Sequence, residues 1–289
     1  MLLNRFAYEG YLWHLSLERD EKIRKARPRE IGHVNGGHTL TLLDGSRDAT
    51  TLEHAMSKLE GEASEAISTI EADENIRLVP HELAAPIAWL ASLQQARSRA
   101  RLGYIAGQAG ASRAEDPFAG TVGEIQSSLL RVAVMPVLES WFARKDEFAR
   151  PKDQWDHVGN TLLNMRWDVM RYPDRSLVVS DAFAAQFGIR TDAVGDFEPK
   201  PWGAMYGMNT PLHAAHGVTI ALNPQVALSL HHGDARRPAA AASVNMHTIR
   251  CAKSFIAFSA DLNPDEAMLG WLDWIIGAKA VRSALPKSL

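Results

Sequence analysis

The sequence predicts an α+β fold that is rich in helices, with central helices packed on a small, mainly antiparallel sheet. Short runs of alternating apolar and polar residues occur near the start of the chain and again in its third quarter, which is typical of strands. A long amphipathic helix follows the first of these runs. Strands and helices come in separate blocks, and no G-x-G-x-x-G or G-x-x-x-x-G-K-[ST] loop follows a strand, so a doubly wound nucleotide-binding fold is disfavoured.

These blocks are interpreted as one domain over residues 1–289. A β meander over 1–50 opens the chain, because alternating residues there are separated by paired turn residues. A helical block over 51–163 follows, then strands over 164–232 and C-terminal helices over 241–286.

The clearest element is a helix from Leu52 to Ile70, whose apolar residues recur on one stripe at about 100° per residue. The other predicted helices cover residues 82–102, 122–145, 155–163, 243–259 and 265–285. The predicted strands cover residues 38–42, 165–171, 176–180, 218–222 and 226–230.

Composition and charge are those of an ordinary globular protein, and they exclude several classes of protein. Hydrophobic residues make up 46% of the chain and charged residues 22%, and 31 basic against 34 acidic side chains leave a net charge of −3. This balance argues against a generally cationic nucleic-acid binder. The single cysteine, Cys251, excludes an intrachain disulfide and a thiolate-rich metal cluster. Arg5 and Glu9 interrupt the first apolar run, and no uncharged stretch suits a lipid-spanning helix, so we expect a cytoplasmic protein with no membrane segment.

Several polar side chains fall on apolar faces. Helical spacing from Leu83 places Gln94 and Arg97 on the core-facing stripe of the second long helix. A guanidinium stays charged in a protein, so a buried Arg97 requires a carboxylate partner. Candidates are Glu53 and Glu60, which share one edge of the preceding helix, and Asp181, which follows an apolar strand.

Two further polar residues belong to this set. Ser180 precedes Asp181 and could orient its carboxylate, and Asn245 shares a face with apolar residues of its helix, so its amide is expected to need a buried partner. Under one interpretation the whole set is a structural network. Under the other it lines a pocket, with Glu60 or Asp181 as the catalytic carboxylate and the remaining side chains, Gln94, Arg97, Ser180 and Asn245, binding the ligand. Spacing does not separate the two interpretations.

At these residues the chain resembles the bacterial domain of unknown function 4238 family. Members of that family typically carry an N-terminal His-x-Val-Pro-Gln, a Leu-Arg-x-Phe-like segment, a Gln-x-x-Arg, a Ser-Asp-Asn-Pro and a late helical Asn. The similar segments span nearly the whole chain and are Leu2–Phe6, Leu59–Glu60, Leu93–Arg97, Val178–Asp181 and Asn245–Phe255. The resemblance implies candidate residues and no reaction, because the family has no established activity.

The chain departs from the family pattern at three places. Ala182-Phe183 stands where Asn-Pro usually follows Ser-Asp, and Ala221–Pro224 stands where a Pro-Leu-Ser-Pro-like turn is typical. The opening His-x-Val-Pro-Gln element is missing, so we expect either that Met1 is an internal methionine or that this member has lost the histidine.

The eleven histidines suggest a weaker metal hypothesis. His231, His232 and Asp234 are ligand types in one segment, and His213 and His216 lie in another, yet neither matches a zincin spacing, and a solvated loop is the simpler interpretation. Cys251 is interpreted as a small core residue, and Trp271 and Trp274 as residues of the core or of a dimer face. Arg97, Arg99, Arg101 and Arg113 are interpreted as a basic edge exposed to solvent.

Three hypotheses remain at this point. The first is a cytoplasmic bacterial protein whose buried polar pocket binds a small anionic or nucleotide-like ligand, with hydrolysis of that ligand left open. The second is a non-catalytic interaction protein with a protein partner, in which the same residues form a structural network. The third is a metal-dependent hydrolase acting on nucleic acid, which the net charge does not support. The sequence names no cofactor, leaves a divalent metal open, and does not decide whether the chain is an enzyme.

Overall fold

The structure is a computed structural model of an α+β protein, and its contacts divide the chain into two compact units. One unit is discontinuous and comprises Met1–Gly32 and Met165–Leu289, and the other is the continuous segment His33–Asn164. The residues that the structure describes are 2–17, 23–31, 40–41, 47–48, 50–97, 124–143, 157–188, 212–233, 240–262, 268, 270 and 272. Among them, no helix has the length and apolar character needed to cross a membrane. The expectation of one domain over 1–289 stays a prediction.

The continuous unit is built from helices, as predicted. Its helices are α2 (Thr51–Ala72), α3 (His81–Ala96), α4 (Glu124–Ala143) and α5 (His157–Leu163). The predicted apolar stripe of α2 is confirmed, since its residues from Leu52 to Ile70 at that spacing are buried. Residues of α2, α3 and α4 form one apolar cluster that includes Leu59, Trp89 and Trp141.

A short hairpin precedes α2 and places a carboxylate beside its first backbone N–H groups. β3 (Leu40–Thr41) pairs antiparallel with β4 (Arg47–Asp48). The Asp48 carboxylate accepts hydrogen bonds from the backbone N–H groups of Thr51 at 3.0 Å and Thr50 at 2.9 Å. Donation by these N–H groups lowers the pKa of Asp48 to about 2, because they stabilise the ionised carboxylate. The start of α2 is therefore set by a carboxylate at its positive end.

The discontinuous unit carries two four-stranded antiparallel sheets. The first sheet has the order β2-β1-β10-β6, with strands β1 (Leu12–Ser16), β2 (Ile23–Ala26), β6 (Val178–Ser180) and β10 (Phe255–Ser259). The second sheet has the order β5-β9-β8-β7, with strands β5 (Arg166–Arg171), β7 (Ala185–Phe187), β8 (Gly217–Ala221) and β9 (Val226–His231). The antiparallel pairing and the predicted strands at 165–171, 176–180, 218–222 and 226–230 are confirmed.

One helix packs against both sheets. It is α6 (Ala241–Cys251), which contacts β6 of the first sheet and β7 and β8 of the second. Val244 of α6 lies in an apolar cluster with residues of both sheets, and Ile249 lies in a second cluster with β1 and β10. This helix therefore joins the two sheets through a shared core.

One expectation for the discontinuous unit was wrong. The helix predicted over 243–259 ends at Cys251, and Phe255–Ser259 is the strand β10, which pairs with β1 and β6. The run from Phe255 to Phe258 is compatible with either structure, and pairing on both sides stabilises the strand. The chain begins with the short helix α1 (Leu2–Phe6), and the β meander expected over 1–50 stays a prediction. The described positions 268, 270 and 272 of the predicted last helix are helical.

Candidate functional site

In the continuous unit, three predicted site residues come together where α3 ends against α2. The Arg97 guanidinium donates from Nη2 to Glu60 Oε1 at 2.8 Å and from Nε to Gln94 Oε1 at 3.1 Å. Its Nη1 lies 3.8 Å from Met56 Sδ. We call Met56, Glu60, Gln94 and Arg97 the Arg97 cluster. The predicted carboxylate partner of Arg97 is Glu60 and not Glu53.

The Arg97 cluster is partly buried and electrically balanced. The side chains of Arg97 and Glu60 are 20% and 27% exposed. One carboxylate neutralises one guanidinium, and each of the three guanidinium nitrogens has a partner on α2 or α3. The arrangement can stabilise the contact between the two helices.

In the discontinuous unit, Asn245 links α6 to the chain that enters β6. Its side-chain Oδ1 accepts a hydrogen bond from the Val178 N–H at 3.0 Å, and its Nδ2 donates to the Ser176 carbonyl at 2.7 Å. Asn245 is only 6% exposed. Both ends of the amide are therefore used to satisfy backbone groups of one segment, as the sequence led us to expect of a buried amide.

Ser180 and Asp181 also contact backbone groups of α6 and of the turn that follows it. The Ser180 hydroxyl is 3.3 Å from the Thr248 carbonyl of α6 and accepts a hydrogen bond from the Ala182 N–H at 3.2 Å. Asp181 Oδ1 accepts hydrogen bonds from the N–H groups of Lys253 at 2.9 Å and Phe255 at 3.3 Å. This carboxylate oxygen therefore stabilises the turn between α6 and β10.

The predicted site residues thus form two groups of three. Glu60, Gln94 and Arg97 lie together in the continuous unit. The second group, Ser180, Asp181 and Asn245, lies around α6 in the discontinuous unit. A single pocket lined by both groups stays a prediction.

A buried contact between an aspartate and a histidine in the second sheet was not predicted. Asp168 on β5 and His231 on β9 have side chains that are 4% and 7% exposed, and Nε2 of His231 lies 2.6 Å from Asp168 Oδ2. The Nδ1 atom of His231 is 3.1 Å from the Gly233 carbonyl, which can only accept, so Nδ1 carries a hydrogen. In the sequence, the Asp168 carboxylate lies at an inward-facing position of a predicted strand, and this pattern could have revealed the contact.

The pair bears on the weaker metal hypothesis. Both ring nitrogens of His231 have partners within the fold, at Asp168 and Gly233. Among the residues that the structure describes, no group of three or more His, Cys, Asp or Glu side chains could hold a metal ion. Several residues of the sequence hypotheses lie outside the described part of the chain: the side chain of His213, and Arg99, Arg101, Arg113, Asp234, Trp271 and Trp274.

The cysteine is half-buried at the end of α6. The Cys251 thiol lies 3.7 Å from the Gln186 carbonyl. Burial raises the pKa of this thiol above its usual value, because the thiolate would lose its hydration. Cys251 therefore keeps its proton at neutral pH and lacks the thiolate character that nucleophilic cysteines need.

Comparison with known proteins places the chain in one family and gives no further relative. No curated protein and no solved structure matches it. The family described as "Protein of unknown function (DUF4238)" matches residues 1–261. This match covers both groups of predicted site residues and all the described strands. The chain therefore belongs to the domain of unknown function 4238 family, as the motifs of its sequence predicted.

Proposed function

We propose that this chain is a binding protein without a catalytic site at Glu60 or Asp181, and that the six predicted site residues maintain its fold. The observation that carries the proposal is that each of these six side chains hydrogen-bonds to another segment or side chain of its own unit. This corresponds to the second of the three hypotheses from the sequence, an interaction protein with a structural polar network.

The geometry of Arg97 supports this proposal most directly. An anion clamp needs guanidinium N–H groups that face the ligand. Here Nε and Nη2 donate to Gln94 and Glu60, and Nη1 faces Met56 Sδ. The Glu60 carboxylate already neutralises the guanidinium, which weakens its attraction for a bound anion.

Asp181 and Asn245 support the same proposal in the other unit. A general base or metal ligand needs lone pairs directed at a substrate or an ion. Asp181 instead accepts two backbone N–H groups through one oxygen, and Asn245 uses its oxygen and its nitrogen on one backbone segment. Asn245 is buried, so removing its amide would leave unsatisfied backbone groups.

The first test compares the stability of two arginine variants. We expect Arg97→Ala to lower the free energy of unfolding by about 2 kcal/mol, because Glu60 loses its partner in a partly buried place. Arg77→Ala, at an exposed position after α2, is the matched control and should change it by less than about 0.5 kcal/mol. Chemical denaturation measures both values.

The same variants test the competing anion-clamp hypothesis. Inorganic phosphate and nucleotides are added to the wild-type chain and to Arg97→Lys, which keeps the charge but loses the planar fork. We expect neither ligand to raise the melting temperature of either chain. A rise in the wild type that disappears in Arg97→Lys, together with an unchanged stability of Arg97→Ala, would overturn the proposal.

A further inference from the structure

The first sheet of the discontinuous unit ends in an edge strand whose outer side is unpaired. Among the described strands, β2 lies at the end of the order β2-β1-β10-β6 and pairs with β1 alone. Within the described part of the chain, the backbone of Ile23–Ala26 forms no hydrogen bond outside this pair. An antiparallel edge strand turns alternate N–H and C=O groups away from its neighbour. The outer side of β2 therefore presents donors and acceptors that a further strand can use.

The opposite edge of the same sheet is covered by a side chain. Asn245 of α6 accepts from the Val178 N–H of β6 and donates to the Ser176 carbonyl just before that strand. A side-chain amide thus occupies backbone groups at the β6 edge. In the described ranges, no side chain does the same for β2. The two edges of this sheet therefore differ in whether another segment can pair with them.

The β2 edge carries a concentration of positive charge. Four exposed cations lie on the strand or directly after it: Arg24, Lys25, Arg27 and Arg29. Residues 18–30 contain six cations and four anions, whereas the whole chain has a net charge of −3. Cations on an edge strand repel a second cationic edge, which disfavours pairing of β2 with β2 of another copy. They attract an acidic strand, because opposite charges at facing positions stabilise a strand pair.

Aromatic rings hold two of these cations in position. The Lys25 ammonium lies 5.4 Å from the centre of the ring of Trp13, which is its direct partner on β1. The Arg27 guanidinium lies 5.5 Å from the centre of the Tyr11 ring, and its Nη2 donates to the Tyr11 hydroxyl at 3.3 Å. Such contacts restrict long side chains before a partner arrives. Binding of a carboxylate then costs less conformational entropy than it would at a freely moving side chain.

An open cavity lies where β2 ends. Its volume is about 390 Å³, and its lining includes Tyr11, Arg27 and Arg29. Among the described residues that line it, Glu9 is the one carboxylate, so the two guanidinium groups leave the cavity positive. Guanidinium groups bind carboxylates through charge-assisted hydrogen bonds. A strand that continues past the end of β2 would therefore bring its next acidic side chain to a cationic cavity.

We propose that β2 is the docking edge for an acidic, extended segment of a partner protein. The segment adds to the sheet beside β2 and exchanges backbone hydrogen bonds with it. Acidic side chains face Arg24 and Lys25, and a further one reaches the cavity at Arg27 and Arg29. This proposal rests on the proposed binding function and names its partner. Free phosphate and nucleotides have no strand backbone to pair with β2.

The probe is the fluorescein-labelled peptide amide Val-Glu-Glu-Val-Glu-Glu-Val, and fluorescence anisotropy measures its binding to the full chain. Its sequence is the same in both directions, so the test holds for parallel and antiparallel addition. We expect the wild type to bind it at least tenfold more tightly than the peptide Val-Lys-Lys-Val-Lys-Lys-Val, because only the acidic peptide complements the charge of the edge.

Backbone methylation of the probe separates strand addition from charge attraction alone. Two analogues carry N-methyl groups at their odd-numbered or at their even-numbered residues, and both keep all four carboxylates. Alternate residues of a strand direct their N–H groups to the same side, so only one analogue loses the donors that face β2. We expect that analogue to bind about tenfold more weakly than the other. Equal affinities of the two analogues would overturn strand addition.

Two double variants test the cations of the edge. We expect Arg24→Gln/Lys25→Gln to bind the acidic peptide about fivefold more weakly than the wild type, because two cross-strand charge pairs are lost. The matched control, Lys58→Gln/Arg77→Gln, removes the same charge from exposed positions of the continuous unit and should keep wild-type affinity. A melting temperature close to that of the wild type shows that each variant is folded.

Three further results would overturn the docking edge itself. They are no binding of the acidic peptide by the wild type, equal affinity of both double variants, and tighter binding of a single-stranded DNA oligonucleotide than of the peptide. The proposed binding function fails separately, because phosphate or nucleotide binding that depends on Arg97 is measured without any peptide present.

Discussion

At the scale of single residues, Asn245 joins α6 to the segment before β6 by an amide that both accepts and donates. Its oxygen accepts from the Val178 N–H and its nitrogen donates to the Ser176 carbonyl. A carboxylate of the same size could only accept and would face the carbonyl with its charge. The sequence indicated a buried amide in need of a partner. The sequence could not identify that partner. The partner is about 70 residues away along the chain, and the packing of α6 against β6 brings it within reach.

His247 gives a pH dependence to folding. Its ring stacks on Phe187 with a centroid distance of 4.7 Å and an interplanar angle of 9°. Burial first, and the charge of Arg250 second, lower the pKa of His247 from 6.5 to about 4. Between these pH values the unfolded chain binds more protons than the folded chain. Stability contributed by neutral His247 is therefore present above pH 6.5 and lost as the pH falls towards 4.

We expect this residue to account for about 3 kcal/mol of the stability lost on acidification. Urea denaturation of the wild type and of His247→Gln at a series of pH values measures the difference, because glutamine does not titrate. The stability of the variant should fall less steeply over this interval. Parallel curves for the two proteins would show that His247 stays charged or exposed in the folded chain.

At the scale of elements, the strand β10 shows where helical periodicity misleads. Residues after Cys251 continue an apolar pattern that suits a helix, and the structure makes them a central strand between β1 and β6. Asp181 stabilises the turn before the strand by accepting from the N–H groups of Lys253 and Phe255. The turn depends on Asp181, which is far from it in sequence, so no local sequence pattern predicts the turn.

The second sheet contains a position that only glycine can occupy. Gly217 of β8 pairs with His231 on one side and Phe187 on the other. A Cβ at this position would collide with the Leu230 carbonyl, which is backbone, and would lie 2.6 Å from the Phe187 ring. The ring could move, but the carbonyl belongs to the neighbouring strand and cannot shift without disturbing the pairing.

We therefore expect Gly217→Ala to lower the free energy of unfolding by about 3 kcal/mol or to prevent folding. Gly61→Ala is the control. Gly61 lies within α2, a Cβ there meets nothing within 4 Å, and alanine should stabilise the helix by about 0.5–1 kcal/mol. Melting curves of the two variants check the opposite signs. A stable Gly217→Ala would mean that the sheet register differs near Leu230.

At the scale of the whole molecule, the chain has two compact units, one of which is inserted into the other in sequence. Each unit has its own apolar core, with Leu59 and Trp89 in one and Leu12 and Val244 in the other. The sequence predicted a single domain, which requires that the two cores unfold together. Calorimetry of variants in the separate units can decide this, since each variant marks the transition of its own unit.

We expect one calorimetric transition in the wild type, and we expect Arg97→Ala and a mild variant of the other unit, Val244→Ala, to shift that same transition. The calorimetric and van't Hoff enthalpies should then agree. Two peaks, each moved by only one of the variants, would contradict the single-domain prediction.

The sequence by itself determined the α+β class, the helix from Leu52, the requirement of Arg97 for a carboxylate and the membership of the family. These features depend on local periodicity, on the cost of burying a charge and on the order of motifs, and each of these can be read from the sequence alone. Only the tertiary structure decided that Glu60 is the partner of Arg97, that Asp168 and His231 pair, and that residues 255–259 form a strand. Each of these depends on which distant segments meet, because a side chain or strand satisfies its hydrogen bonds with whatever packing brings within reach.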